Sequence, residues 1–299
     1  MFSKSSLIQL FIGLQFFAVI STSCNTDLSA KNGLVPKDED SAKFKDSEYY
    51  NFSQPYLINL PPTLDEISGL AYYAKDSSVF AIIDEEALLF KISLNNPEHI
   101  QQWAFGKAND YEDIILKDSV FYVLTSDGSI RSLQFKGEEI VTKKYDFITG
   151  EKKSKNEFES MYVDSGRIVI LCKDCDADKK TKTSRFALDS AGGGFREIEP
   201  VHNASVAKMI DEKKVALKAS AAAVHPLTGE LYVVSAVNKS IYIFDTALNP
   251  REVYELNPKI YKQPEGIAFT PAGDLIISNE VYLEGNSNIL VLKNKKKKQ

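Results

Sequence analysis

Along this chain a short apolar run, a tight polar turn and a second apolar run recur five times, each introduced by an acidic or small polar residue. The copies open at Ser68-Gly69-Leu70-Ala71, Glu112-Asp113-Ile114-Ile115, Glu159-Ser160-Met161-Tyr162, Ser220-Ala221-Ala222-Ala223 and Glu265-Gly266-Ile267-Ala268. Turn compositions follow each opening, such as Asp164-Ser165-Gly166 and Thr270-Pro271-Ala272-Gly273. The second runs, Val79 to Ile83, Val120 to Leu124, Ile168 to Cys172, Leu231 to Ser235 and Leu275 to Asn279, are β-branched and aromatic with no helical spacing. Ser129 to Leu133 and Ser240 to Phe244 follow hairpin turns as third strands. The copies start 44, 47, 61 and 45 residues apart. A period in the forties with four short strands per unit predicts an all-β fold, a β-propeller.

About 30 residues remain from the start of the fifth copy to the lysine tail, too few for four strands. The run Tyr56 to Leu60, just before the first copy, can supply the missing outer strand and close the ring. Five blades follow, with six as the alternative, because the 61-residue third spacing has room for a poorly formed extra unit. Its excess, Lys173 to Arg185 and Asp189 to Gly194, reads as longer loops rich in charge and glycine.

The start of the chain predicts export. Lys4 precedes an apolar stretch from Leu7 to Ile20, then Ser21-Thr22-Ser23-Cys24. That stretch is shorter than the ~20 residues that span a bilayer, so residues 1–23 read as a signal peptide and Cys24 as a lipidation site. Residues 24–51 are polar and read as a lipidated cysteine and flexible tether, 52–293 as the propeller, and 294–299 as a solvated basic tail. The expected location is the bacterial cell envelope, on a lipid anchor. Formal charge is −5 with the lysines of the tail included, so the body is acidic and a nucleic-acid surface is excluded.

Cys172 and Cys175 remain once Cys24 is acylated, and in an exported chain they predict a local disulfide. Two thiolates without two further ligands do not make a zinc site. None of the three histidines has ligand spacing, and no nucleophile elbow, phosphate loop or dinucleotide motif occurs. No catalytic residue is assigned.

Carboxylates at equivalent repeat positions carry the remaining chemistry. Ser68, Glu112, Glu159, Ser220 and Glu265 each start an innermost strand, where following glycine and alanine suit crowding at the axis. Asp84, Thr125, Lys173, Ala236 and Glu280 end the next strand, and Glu66 and Asp110 stand two residues ahead of the first two copies. Pseudo-fivefold symmetry brings these to one rim. Crowded like charges call for a cation, and carboxylate oxygens suit calcium. The expected ligands are Glu66, Glu112, Glu159 and Glu265, against the alternative that such glutamates cap strand ends and face water.

The segments Asp65-Glu66-Ile67-Ser68-Gly69-Leu70-Ala71-Tyr72, Phe80-Ala81-Ile82-Ile83-Asp84-Glu85, Asp110-Tyr111-Glu112-Asp113-Ile114 and Gln263-Pro264-Glu265-Gly266-Ile267-Ala268 resemble the SdiA-regulated, YjiK-like propeller family. The resemblance runs from about Leu57 to Leu292. Pro-Glu-Gly-Ile is shared with NHL-type, phytase-like and lactonase-like propellers. The family implies five blades, an envelope location and a calcium site, with no established activity. Ser220-Ala221-Ala222 departs from the pattern in lacking a carboxylate, which makes the expected metal site asymmetric. Two classes of function fit. The favoured one is a calcium-binding scaffold for a protein, glycan or small-molecule ligand; the alternative is a calcium-dependent hydrolase using rim carboxylates.

Overall fold

The computed structural model describes residues 32–37, 39–147, 155–179, 181–189, 194–281, 283 and 285–296. The expected signal peptide and Cys24 lie outside these residues. Strand β1 (Gly33–Leu34) pairs with β2 (Tyr56–Asn59), which precedes four antiparallel blades. Blade 1 holds β3 (Ile67–Tyr73), β4 (Ser78–Ile83), β5 (Leu88–Ser93) and β6 (Ile100–Ala104). Blade 2 holds β7 (Tyr111–Lys117), β8 (Val120–Thr125), β9 (Ile130–Lys136) and β10 (Glu139–Tyr145). In blade 3 come β11 (Asn156–Asp164), β12 (Arg167–Cys175), β13 (Lys182–Asp189) and β14 (Gly194–His202). The short helix α1 (Asn203–Met209) leads into blade 4, made of β15 (Ala221–Val224), β16 (Leu231–Ser235), β17 (Ser240–Phe244) and β18 (Pro250–Glu255). Blade 5 holds β19 (Pro264–Phe269), β20 (Leu275–Asn279) and β21 (Asn288–Leu292). There are five blades, and β2 completes the fifth by pairing with β21 from Tyr56↔Val291 to Asn59↔Asn288.

The innermost strands β3, β7, β11, β15 and β19 contact one another in sequence around the ring. Alternating side chains of neighbouring blades fill the space between sheets, as with Leu70, Val79, Ile58 and Ile289 between blades 5 and 1. Where inner strands meet, space is short. A Cβ on Gly69 would lie 2.6 Å from the Cα of Asp113, and one on Gly266 would lie 2.9 Å from the carbonyl oxygen of Ser68. Polar bonds tie the inner ring: Ser278 Oγ donates to Ser68 O at 3.1 Å, and the fully buried Asp113 accepts from Met161 N of the next blade at 2.7 Å.

Three sequence expectations need correction. The third copy is long because its strands are long, eight or nine residues each, and because α1 follows; β12 and β13 occupy much of the stretch expected as loop. The tether does not extend to residue 51. Tyr50 and Phe52 are buried against blades 4 and 5, and Tyr50 Oη donates to Gly273 O at 2.6 Å. Their large rings find more apolar contact there than solvent offers. The basic tail likewise begins folded, since Lys295 N donates to Tyr49 O at 2.9 Å and Lys296 pairs with Glu48.

Replacing Asp113 with alanine leaves the Met161 N–H without its acceptor inside the ring. The expected loss is about 1–3 kcal/mol, read as a lower urea midpoint with an unchanged m-value. An unaltered midpoint would show that this bond does not hold blades 2 and 3 together.

Candidate functional site

At the start of the innermost strands of blades 1, 2, 3 and 5 the ladder slips. Tyr111 faces Thr125 but Asp113 faces Leu124, which leaves Glu112 unpaired between them. Glu159 is left over in the same way between Phe158 and Ser160, and Glu265 between Pro264 and Gly266. In blade 4, Ser220 N donates to Val234 O while Ala221 also pairs with Val234. A bulge re-aims the extra residue out of the pleat, so the equivalent glutamates are presented at one mouth of the channel.

Backbone bonds bring the other carboxylates to that mouth. Asp84 N donates to Glu66 O at 3.2 Å, Tyr111 N to Asp84 O at 2.8 Å and Glu280 N to Gln263 O at 2.9 Å. Carboxylate oxygens of Asp84, Asp110 and Glu112 come within 4.8 Å of one another. Asp110 also accepts from Ser126 Oγ.

Burial and mutual repulsion push the protons of this group onto the carboxylates. Burial, then the charge of Asp110, raises Glu112 to about 9. Burial, a bond to Asp110, and the charges of Asp110 and Glu66 raise Asp84 to about 6. Burial and the charges of Glu265, Asp84 and Glu66 raise Glu280 to about 7. Glu265 is raised by burial, against the pull of Lys173 and of bonds from Ser220 and Gln263.

The expected ligand set is thus divided. Glu112 sits in the close cluster. Glu66 is exposed beside it, within electrostatic reach of Asp84 and Glu280. Glu265 lies on the blade 5 side next to Glu280, and Glu159 forms an ion pair with Lys173. Cys172 and Cys175 are joined in a disulfide, with Cα atoms 6.0 Å apart. Asp84 and Asp110 stand at repeat positions visible in the sequence but lie outside the expected ligand set. Gln263 and Lys239 were missed, because one is an amide and the other sits in a hairpin turn; Gln263 donates to Glu280, and the charge of Lys239 acts on Glu265.

The mouth is therefore polarised. Carboxylates crowd blades 5, 1 and 2, whereas Lys173 and Lys239 come from blades 3 and 4. The opposite mouth differs, with a cavity of about 370 Å³ lined by Leu70, Ile115, Val163, Ala223 and Phe269 among others.

Among solved structures, the chain is similar to glutaminyl cyclase from Myxococcus xanthus, with TM-score 0.54 and 13% identity over 80% of this chain and 97% of that one. It is also similar to luciferin-regenerating enzyme, with TM-score 0.50 and 11% identity over 81% and 96%. At such identities the likeness concerns the propeller fold alone. No curated protein matches the chain in sequence. The sequence profile of the SdiA-regulated family matches residues 56–283, from the closing strand through the acidic mouth to the last blade, and the chain belongs to that family.

Proposed function

We propose that this protein is a lipid-anchored propeller of the bacterial cell envelope that binds one calcium ion at its acidic mouth and there engages a protein, glycan or small-molecule ligand. The convergence of Asp84, Asp110 and Glu112 carries the proposal. The donors fit the ion: all are carboxylate oxygens, which a hard divalent cation prefers. The raised pKa values of Glu112 and Asp84 mark a group short of positive charge. Glu66 and Glu280 stand close enough to contribute charge, directly or through water. The anchor rests on Cys24 behind the apolar stretch Leu7 to Ile20.

One observation favours the hydrolase alternative. Glu112, titrating at about 9, is neutral at pH 7 beside two other carboxylates, as a general acid would be. The two functions differ on that proton, since a calcium ligand gives it up and a general acid keeps it.

The sign of the pH dependence follows from these shifts. Raised carboxylates favour the protonated native state, so their contribution to stability is present at low pH and is lost as pH rises toward about 9. Without metal, stability should decline between roughly pH 5 and 9, and calcium should offset the decline by displacing protons. Thermal melts at pH 5.5 and 8.5 test this, with a larger calcium-induced rise at the higher pH and about 2.7 kcal/mol of stabilisation at a hundredfold excess over Kd. Melts indifferent to calcium and chelator at both pH values defeat the proposal. Asp84→Asn and Asp110→Asn should each weaken calcium binding at least tenfold in calorimetry, while Glu265→Gln should weaken it less. For the anchor, Cys24→Ala should abolish acyl labelling and release the chain from membranes; unchanged detergent partitioning and label refute it.

A further inference from the structure

Blade 3 carries an arrangement that the other described blades lack. Its two inner strands are bulged at adjacent positions, and on both sides. Asp174 faces Glu157 and Cys172 faces Phe158, so Lys173 is left over on β12. Leu171 faces Ser160, so Glu159 is left over on β11. Each bulge frees one side chain, and the two freed side chains meet as an ion pair. The disulfide from Cys172 to Cys175 brackets Lys173 and Asp174 in the chain, and Asp174 pairs with Lys218 at 2.5 Å.

Its surroundings are those of a cation position. Glu159 is almost wholly buried; one of its carboxylate oxygens is taken by Lys173, and the other, Oε2, is buried with no hydrogen-bond partner. A buried, half-satisfied carboxylate oxygen is costly. The bulges of blades 2 and 5 place Glu112 and Glu265 at equivalent positions of the same ring, and the charge of Lys173 acts on both.

We infer that Lys173 is a tethered counter-cation: its ammonium fills a second cation position in the mouth, framed by Glu159 with Glu112 and Glu265, and excludes a metal ion from it. This deepens the proposed calcium reading, with Glu112 shared between the metal corner formed with Asp84 and Asp110 and the corner filled by lysine. Lys173 thereby sets the stoichiometry of the mouth at one metal ion. Removing its charge while keeping its length should open the second position to calcium, because Glu159 then offers a carboxylate with no counter-charge.

Calcium titration calorimetry and metal analysis of the full chain test this, using Lys173→Met and Lys173→Gln as independent neutral variants and Lys173→Arg as the charge-keeping control. Wild type and Lys173→Arg should bind one equivalent, and the neutral variants two. Adding Glu159→Gln to either neutral variant should return the count to one. A neutral variant that folds with a native circular dichroism spectrum and still binds one equivalent overturns the inference, as does a second equivalent that survives Glu159→Gln. Failure of the parent proposal gives a different pattern: wild type binds no calcium, and the neutral variants then gain one equivalent if the lysine occupies a cation position and none if it does not.

Discussion

Five inner strands approach one axis closely enough that a single methyl group on Gly69 or Gly266 collides with the neighbouring blade. That crowding governs the rest of the molecule. Strands so close can neither carry large side chains throughout nor run in perfect register to the mouth, and a bulge at the start of the inner strand relieves both conditions. Each bulge leaves a residue of the inner strand outside the ladder, and in three blades it is a glutamate. Geometry imposed by packing thus becomes electrostatics.

Once gathered, the carboxylates cannot all be charged. The mouth meets this in two ways. On blade 3 the chain supplies its own positive charge from Lys173. On blades 5, 1 and 2 the side chains hold protons, with Glu112, Glu280 and Asp84 titrating at about 9, 7 and 6. Protons held at such values are readily exchanged for a divalent ion. The mouth is therefore acidic without being uniformly charged, and its polarity runs across the channel from one set of blades to the other.

The repeat made the architecture legible because propeller strands announce themselves locally. β16, β17 and β20 start and end where apolar runs and turn residues place them, and the closing role of β2 follows from the shortage of strands at the end of the chain. The site was legible only by row. Alignment identified Glu112, Glu159 and Glu265 as equivalent, but equivalence is not convergence. Which carboxylates share an oxygen-lined corner depends on the second-strand ends, and there Lys173 replaces the acid found as Asp84 in blade 1 and Glu280 in blade 5. The folded state of Tyr50 and Phe52 was hidden for another reason. They lie in a polar stretch with no periodicity, and only the tertiary contact with blades 4 and 5 accounts for their burial.

The pairing of β2 with β21 has a kinetic meaning. The two strands are separated by nearly the whole propeller, and their ladder is a contact of very high sequence separation. Synthesis delivers β2 early and β21 almost last, so blades 1 to 4 can assemble while the β21-facing edge of β2 still waits open. Such an edge is a template for pairing with other chains. The four-residue length of β2 keeps that template short, and the ring can close only once β21 has been made, whereas the other blades pair strands close in sequence.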